Sequence, residues 1–248
     1  MQAAIYLHDR GHHVTLFEAS DHLGGQLNFA DYAQFKRDLG RFKDYLIRQV
    51  EQRDIPVQYN TFATPELLNA QHPDHVILAV GADPLVIPIP GVERTVKAPD
   101  VFGHEDALGE NVVIIGGGQV GAETGIHLAQ LGKDVTILEM QDKIAPDAWF
   151  TYKWAMDIEL KERENLHCIT GGRCTGITET AVTYLDAAGV SHSIPADSAV
   201  LCVGFRPKTA LAESLILPGV PYTIIGDGKR VGTVQQAIRD AFDIAMTL

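Results

Sequence analysis

Asn111–Met140, NVVIIGGGQVGAETGIHLAQLGKDVTILEM, reads as strand, glycine turn, helix and second strand in one unbroken run. Val112–Ile115 is a short β-branched apolar segment, and Gly116, Gly118 and Gly121 follow it at G-x-G-x-x-G spacing. In such a turn the first glycine permits a tight bend, the second lets backbone approach a pyrophosphate, and the third lets the helix pack closely on the strand. The helix N-terminal amides then face the phosphates, which makes an anion cradle out of backbone. Downstream, Ala122, Ile126, Ala129 and Leu131 are the expected buried helix face, Gly132 ends the helix, and Val135–Leu138 forms the next strand, closing on Glu139. An acid about 20 residues past the glycines is where a ribose 2′-hydroxyl is held. A lone glycine pattern is weak evidence; here strand, helix, second strand and acid agree.

Length and composition bound the rest. A chain of 248 residues with 46% apolar content can bury one large or two modest cores. The net charge of −12, with no run of Lys or Arg, argues against nucleic acid or an anionic membrane as partner. The first residues show no basic segment leading into an apolar core, and the longest apolar runs are strand-sized, so neither a signal peptide nor a membrane span is expected. Cys168, Cys174 and Cys202 are odd in number and form no C-x-x-C, so they read as reduced, buried thiols of a cytoplasmic protein. His72 and His75 lack a converging acid or cysteine set, and no metal site is expected.

The chain repeats itself. Met1–Ala19, MQAAIYLHDRGHHVTLFEA, matches the second half of the glycine unit at an offset of 121: Ile5 on Ile126, Leu7 on Leu128, Gly11 on Gly132, Val14 on Val135 and Glu18 on Glu139. In that register Met1 falls on Ala122, so this copy is expected to lack its first strand and glycine loop. DHVILAVGADP at Asp74–Pro84 likewise recurs as DSAVLCVGFRP at Asp197–Pro207, an offset of 123. The expected fold is therefore α/β, with two Rossmann-like, three-layer dinucleotide-binding domains that carry β-meanders. The first spans residues 1–104 and 208–248, the second residues 105–207. Duplication of such a domain implies two nucleotides brought face to face, the arrangement in which hydride passes between nicotinamide and flavin.

The remaining stretches fill in around these two copies. Gly24-Gly25-Gln26-Leu27 reads as a loop able to approach a ligand with backbone, and Tyr32–Arg53 as a long amphipathic helix with Phe35, Leu39, Phe42, Leu46 and Val50 on its inner face. Strands are expected at Pro56–Tyr59 and Asp74–Val80, the latter ending in Gly81-Ala82, with a short helix at Pro65–Ala70 between them. Pro84, Pro88, Pro90 and Gly91 mark an irregular linker. Ala148–Arg163 reads as a helix and Cys168–Ile194 as a β-meander. The tail opens on YTIIGDG from Tyr222, a strand with Gly226-Asp227 at its end and a helix from about Thr233. Asp227 either accepts from a polyol hydroxyl or caps that helix.

Together, Glu18, GGQL at Gly24–Leu27, VGA at Val80–Ala82, the glycine unit with Glu139, VGFRP at Val203–Pro207 and IGDG at Ile225–Gly228 resemble the flavoproteins with two dinucleotide-binding domains. Within them the chain is similar to the C-terminal module of the NADH:flavin oxidoreductases related to 2,4-dienoyl-CoA reductase and trimethylamine dehydrogenase. That resemblance implies NADH oxidation, with electrons passed through an FAD-type domain towards FMN; in some relatives ADP takes the FAD position. The flavin-pyrophosphate glycines, the FMN barrel and the cysteine run for an iron–sulfur cluster are not in this sequence, which leaves FMN, the cluster, and either a missing N-terminal segment or a partner chain outside it. Carried over by position, Gly116, Gly118, Gln119, Val120 and Gly121 would cradle the NADH pyrophosphate, Glu139 the adenosine ribose, and Gly204 the dinucleotide near the cleft. Glu18, Gly25, Gln26, Gly81 and Asp227 would serve the flavin nucleotide. Hydride transfer between stacked rings needs no side-chain acid or base, so no catalytic residue is expected. Besides an oxidoreductase module, a nucleotide-binding module without turnover stays open, as does a homo-oligomer. The first copy, without its glycine loop, is expected to hold FAD poorly.

Overall fold

In the computed structural model, which describes residues 1–248, the chain divides into two units. Met1–Asp31, Lys36–Asp83 and Phe205–Leu248 form the first, and Tyr32–Phe35 with Pro84–Gly204 the second. Unit 1 opens with α1 (Gln2–Asp9), β1 (Leu16–Phe17), α2 (Leu27–Ala30), α3 (Arg37–Glu51), β2 (Val57–Gln58), α4 (Pro65–Asn69), β3 (Val76–Leu78) and β4 (Ala82–Pro84), whose last residue already belongs to unit 2. Unit 2 continues with β5 (Val96–Lys97), α5 (Ala98–Val101), β6 (Asn111–Ile115), α6 (Gln119–Gln130), β7 (Asp134–Leu138), α7 (Phe150–Glu162), β8 (Leu166–Ile169), β9 (Arg173–Ile177), β10 (Ala181–Leu185), β11 (Ser191–Pro195) and β12 (Ser198–Leu201). The chain then completes unit 1 with β13 (Phe205–Pro207), α8 (Thr209–Ser214), β14 (Tyr222–Ile224) and α9 (Val234–Thr247).

Unit 2 has three layers. Its central sheet runs β5-β12-β6-β7-β8, all parallel, with Ile115 paired to Leu138 on one side and to Leu201 on the other. Val112, Val113, Ile114 and Ile115 are each at most 3% exposed. Such a strand, buried on both faces, reads as a continuous apolar run rather than an alternating one. Its two faces meet different partners. Val112 and Ile114 pack with Ala122, Ile126, Leu128 and Ala129 of α6, while Val113 and Ile115 pack with Ile177 and Val182 of the antiparallel meander β9-β10-β11.

Unit 1 is built of smaller pieces: three two-stranded sheets, β1 with β2, β14 with β3, and β13 with β4, the first two of them parallel. Ala4 and Ile5 of α1 pack with Leu46 and Val50 of α3 over β1 and β2, whereas Ala3 packs with Ile225 and Ala241. Two of its helices start on strong signals. Thr64 caps α4 ahead of Pro65, and Thr233 caps α9 through a reciprocal bond pair with Gln236. The repeat is visible in the backbone, since Gly11 and Gly132 end corresponding helices at φ +94° and +93°.

The structure departs from the sequence expectations in several places. Leu131 is 56% exposed and Leu128 takes the core position instead, because at 100° per residue Leu131 lies on the side of α6 opposite Ala122. The helix expected from Tyr32 starts at Arg37 after a short 3-10 turn, and Tyr32–Phe35 packs in unit 2, where Tyr32 lies 5.9 Å from the Phe102 ring. Residues 84–104 also belong to unit 2, since Val96–Lys97 pairs with β12. Cys168 is exposed rather than buried and sits in β8 of the central sheet, outside the meander; Cys174 and Cys202 are buried. No helix is long and apolar enough to cross a membrane.

Candidate functional site

The glycine turn sits where the strand order of unit 2 reverses. From β6 the chain moves outward to β7 and β8 on one side, then returns to β12 on the other. Open parallel sheets bind ligands at that crevice, beyond the carboxyl ends of the strands. Gly116 adopts φ +104°, and a Cβ there would stand 2.4 Å from the Cys202 carbonyl oxygen, so the turn bends directly against the end of β12. Gly121 is tighter still: a Cβ would lie 1.9 Å from the Gly116 carbonyl oxygen. Gly118 is the opposite case, with no protein atom within 4 Å of the position its Cβ would take. Two glycines are filled in by protein, and the middle one opens on free space.

Gly118 is also the N-cap of α6, and no side chain caps that helix. Its first amides, on Gln119, Val120 and Gly121, therefore have no side-chain acceptor and remain for an anion. Glu139, 8% exposed at the end of β7, is locked by two backbone donors: Gly117 N–H to Oε2 at 2.5 Å and Gln141 N–H to Oε1 at 2.7 Å. A carboxylate has about four acceptor positions, so two are left for ribose hydroxyls. Gly117 was not among the expected site residues, although the run of three glycines signals it. A Cβ at Gly117 would meet Glu139 Cβ at 2.8 Å and Ile144 Cδ1 at 2.5 Å, so the absence of a side chain is what lets the turn and the acid touch.

A buried polar cluster adjoins the turn. Glu123, 7% exposed, accepts from Gln119 Nε2 at 2.9 Å and from the Tyr152 hydroxyl at 2.8 Å. Burial, and then the charge of Glu123, push the Tyr152 phenol well above its usual range, which keeps it a donor. Cys202 at the base of the turn is pushed up to about 12 by burial, so it stays a thiol and not a nucleophile. Gly204, also at φ +104°, accepts from Leu85 N–H at 2.9 Å, and Lys208 N–H donates to the Gly81 carbonyl at 3.1 Å, the same bond with the two copies exchanged.

In unit 1 the expected residues gather in part. Gln26 Nε2 donates to the Ala82 carbonyl at 3.4 Å, beside Gly81, and a Cβ on Gly228 would lie 3.5 Å from Gly81 N, so the Gln26, Gly81 and Asp227 loops adjoin. Gly25, at φ +53°, has open space at its Cβ position. Glu18 accepts from Ser20 N–H at 3.0 Å, the counterpart of Gln141 on Glu139, and no bond ties it to the other three. Asp227 does not cap α9, which Thr233 caps; it accepts from Gly232 N–H at 3.0 Å. No group of three or more His, Cys, Asp or Glu side chains is placed to hold a metal.

Burial raises the Asp227 carboxyl above its usual value. A carboxyl raised in the folded state adds stability that is fully present below the unfolded value of about 3.9 and lost as pH rises through the folded one. At neutral pH the ionised group therefore costs stability. Asp227→Asn is expected to keep or raise Tm at pH 7, measured by thermal unfolding, while lowering affinity for a ribityl- or ribose-bearing nucleotide in unit 1. A fall in Tm would mean that the bond to Gly232 is its main role.

Three comparisons bear on this geometry. The pyridine nucleotide-disulphide oxidoreductase family matches residues 1–220. Among curated proteins, the bilirubin reductase of Mediterraneibacter gnavus (strain CC55_001C) is 34% identical over 251 residues, covering 100% of this chain and 39% of its own length. The NADH oxidase of Thermoanaerobacter brockii is 34% identical over 252 residues, covering 99% of this chain and 39% of its own. Among solved structures, a 2-naphthoyl-CoA reductase in complex with 2-naphthoyl-CoA superposes with a TM-score of 0.93 at 26% identity, over 100% of this chain and 38% of that one. The chain thus spans about two fifths of the length of these relatives.

Proposed function

The chain belongs to the pyridine nucleotide-disulphide oxidoreductase family, and from that premise we propose that it is the nucleotide-handling module of an NADH:flavin oxidoreductase. Membership implies binding of FAD and a nicotinamide dinucleotide. The observation that carries the reading is the free space at Gly118, bounded by uncapped α6 amides and by the locked carboxylate of Glu139. When bound, NADH supplies a hydride and a flavin accepts it. The residues here do the rest. Gly116, Gly118, Gln119, Val120 and Gly121 hold the pyrophosphate by backbone, Glu139 fixes the ribose, and Gly204 bounds the crevice at the end of β12. In unit 1, Glu18, Gly25, Gln26, Gly81 and Asp227 address the sugar of a flavin nucleotide or of ADP. That set supplies polar contacts but no run of amides like the one at Gly116–Gly121. In the whole enzyme, FMN and an iron–sulfur cluster would lie outside this chain, which spans about two fifths of the relatives' length. The names of the relatives support a reducible organic substrate there. A cytoplasmic setting accords with the free cysteines.

The NADH reading is tested by cofactor preference. Glu139 is followed by Met140, Gln141 and Asp142, with no Arg to receive a 2′-phosphate. A buried carboxylate accepts from a free 2′-hydroxyl and repels a phosphate ester. NADH is expected to bind at least tenfold tighter than NADPH, about 1.4 kcal/mol, in parallel titrations. Lys143 is the one nearby cation in the sequence that would soften the preference. Equal or tighter NADPH binding would remove Glu139 from the ribose site.

A further inference from the structure

Helix α7 is apolar on two sides. Tyr152, Met156 and Leu160 turn towards the core of unit 2, where Met156 is 3% exposed. A helix with one buried stripe ordinarily presents charged and polar residues on the opposite face. On α7 the outer stripe instead holds Phe150, Trp154, half-buried Ile158 and Lys161, which at 100° per residue fall within about 40° of Trp154 around the helix axis. Phe150 is 80% exposed and Trp154 67%, and Trp149 at the N-cap is 78% exposed. These are the three most exposed large hydrophobic side chains of the chain, and they stand within six consecutive residues. Together they leave roughly 450 Å² of aromatic surface in water, as much as the largest apolar patch on a typical monomer.

The stripe complements itself. A second copy related by a two-fold axis at Trp154 would lay its α7 antiparallel to this one, so that each residue faces the one equally far on the other side of Trp154. Trp154 then meets Trp154, Phe150 meets Ile158, and Lys161 reaches the segment before α7 that carries Asp147. Lys161 and Asp147 are exposed and stand outside the ion pairs that α7 makes within itself, Lys153 with Asp157 and Arg163 with Glu159. The face therefore has an aromatic centre with one base and one acid at equal sequence distances from it, which is the symmetry that an isologous contact requires.

We propose that the outer face of α7 is the contact surface of a homodimer, in which two copies of the helix pack antiparallel about Trp154. The aromatic patch supplies the desolvated core of such a contact, whose standard size is about 800 Å² per partner. Ile158, Thr151, Asp157 and the aliphatic stem of Lys161 supply the rim. A contact with so small a core assembles reversibly, in the micromolar range. The inference goes beyond the nucleotide reading and does not depend on it, because none of these residues is among those that hold the dinucleotide.

Trp149 and Trp154 are the only tryptophans, so the protein's own emission reports this face. As concentration is raised through the micromolar range, sedimentation velocity is expected to pass from monomer to dimer, with the tryptophan emission shifting to the blue over the same range. Trp154→Glu sets two carboxylates at the centre of the contact and is expected to raise the dissociation constant about a hundredfold, with the far-UV circular dichroism unchanged. Lys161→Glu and Asp147→Lys are each expected to weaken the dimer about tenfold, and the double variant to restore it; this pair tests the contact even if Trp154→Glu does not fold. A monomer at every concentration would overturn the proposal and give the face to a different partner. A dimer whose emission does not move, or which survives Trp154→Glu, would overturn it by placing the contact elsewhere. Single charge reversals without effect, or a double variant as weak as either single one, would overturn the antiparallel arrangement.

Discussion

Gly118→Val is expected to lower NADH affinity at least a hundredfold, about 2.7 kcal/mol, while the protein stays folded. The two halves of that expectation come from one observation. A Cβ at Gly118 meets no protein atom within 4 Å, and its backbone, at φ −64°, suits any L-residue. The structural cost is that of a poor helix N-cap, about 1 kcal/mol, or a few degrees in Tm. The space a valine would fill is the space a pyrophosphate needs to reach the α6 amides. Titration with NADH and a thermal melt on the same sample separate the two effects. Normal binding by the folded variant would place the cradle elsewhere.

Gly121→Val is expected to fail in the other way. Its Cβ would stand 1.9 Å from the Gly116 carbonyl oxygen and 3.3 Å from Cys202 Cβ, against backbone that cannot rotate aside. Helix α6 would have to lift off β6, opening the contact between Ala122, Ile126 and Ile114. Overpacking of this kind costs about 3 kcal/mol or more, roughly 10 °C in Tm for a chain of this size. Binding falls here because the turn is displaced and the fold weakened, with a drop in Tm well beyond that of Gly118→Val. A stable Gly121→Val variant would mean that the turn is looser than its geometry states. Side by side, the two valines distinguish a glycine kept for a ligand from one kept for packing.

The glycine unit was legible in the sequence because every level of it agrees: β-branched strand, turn, helix, second strand and acid fall in the order that the sheet needs. The repeat was legible for a related reason. Gly11 and Gly132 hold the same left-handed turn, so a side chain at either would be strained, and the offset of 121 survives in both. Gly117 was not legible as a site residue. Its partner, Glu139, is 22 positions away, and the contact exists only because β6 and β7 pair in one register. Tyr152 escaped for the same reason, since its bond to Glu123 depends on how α7 packs beside α6. Leu131 was misplaced because a helix turns 100° per residue, and Cys168 because it stands in β8 of the parallel sheet and not in the meander, exposed although Leu166 of the same strand is buried. In unit 1, motifs indicated Gln26, Gly81 and Asp227, but only closure of the chain shows that their loops adjoin.

The most direct measurement is hydrogen exchange of the backbone amides with and without NADH. If NADH lies in the crevice at the end of β6, the amides of Gly117–Gly121 and of Gln141 beside Glu139 will exchange more slowly in its presence, and the uncapped first turn of α6 will show the largest change. Protection confined to other segments, or none at NADH concentrations that saturate binding, would contradict the account.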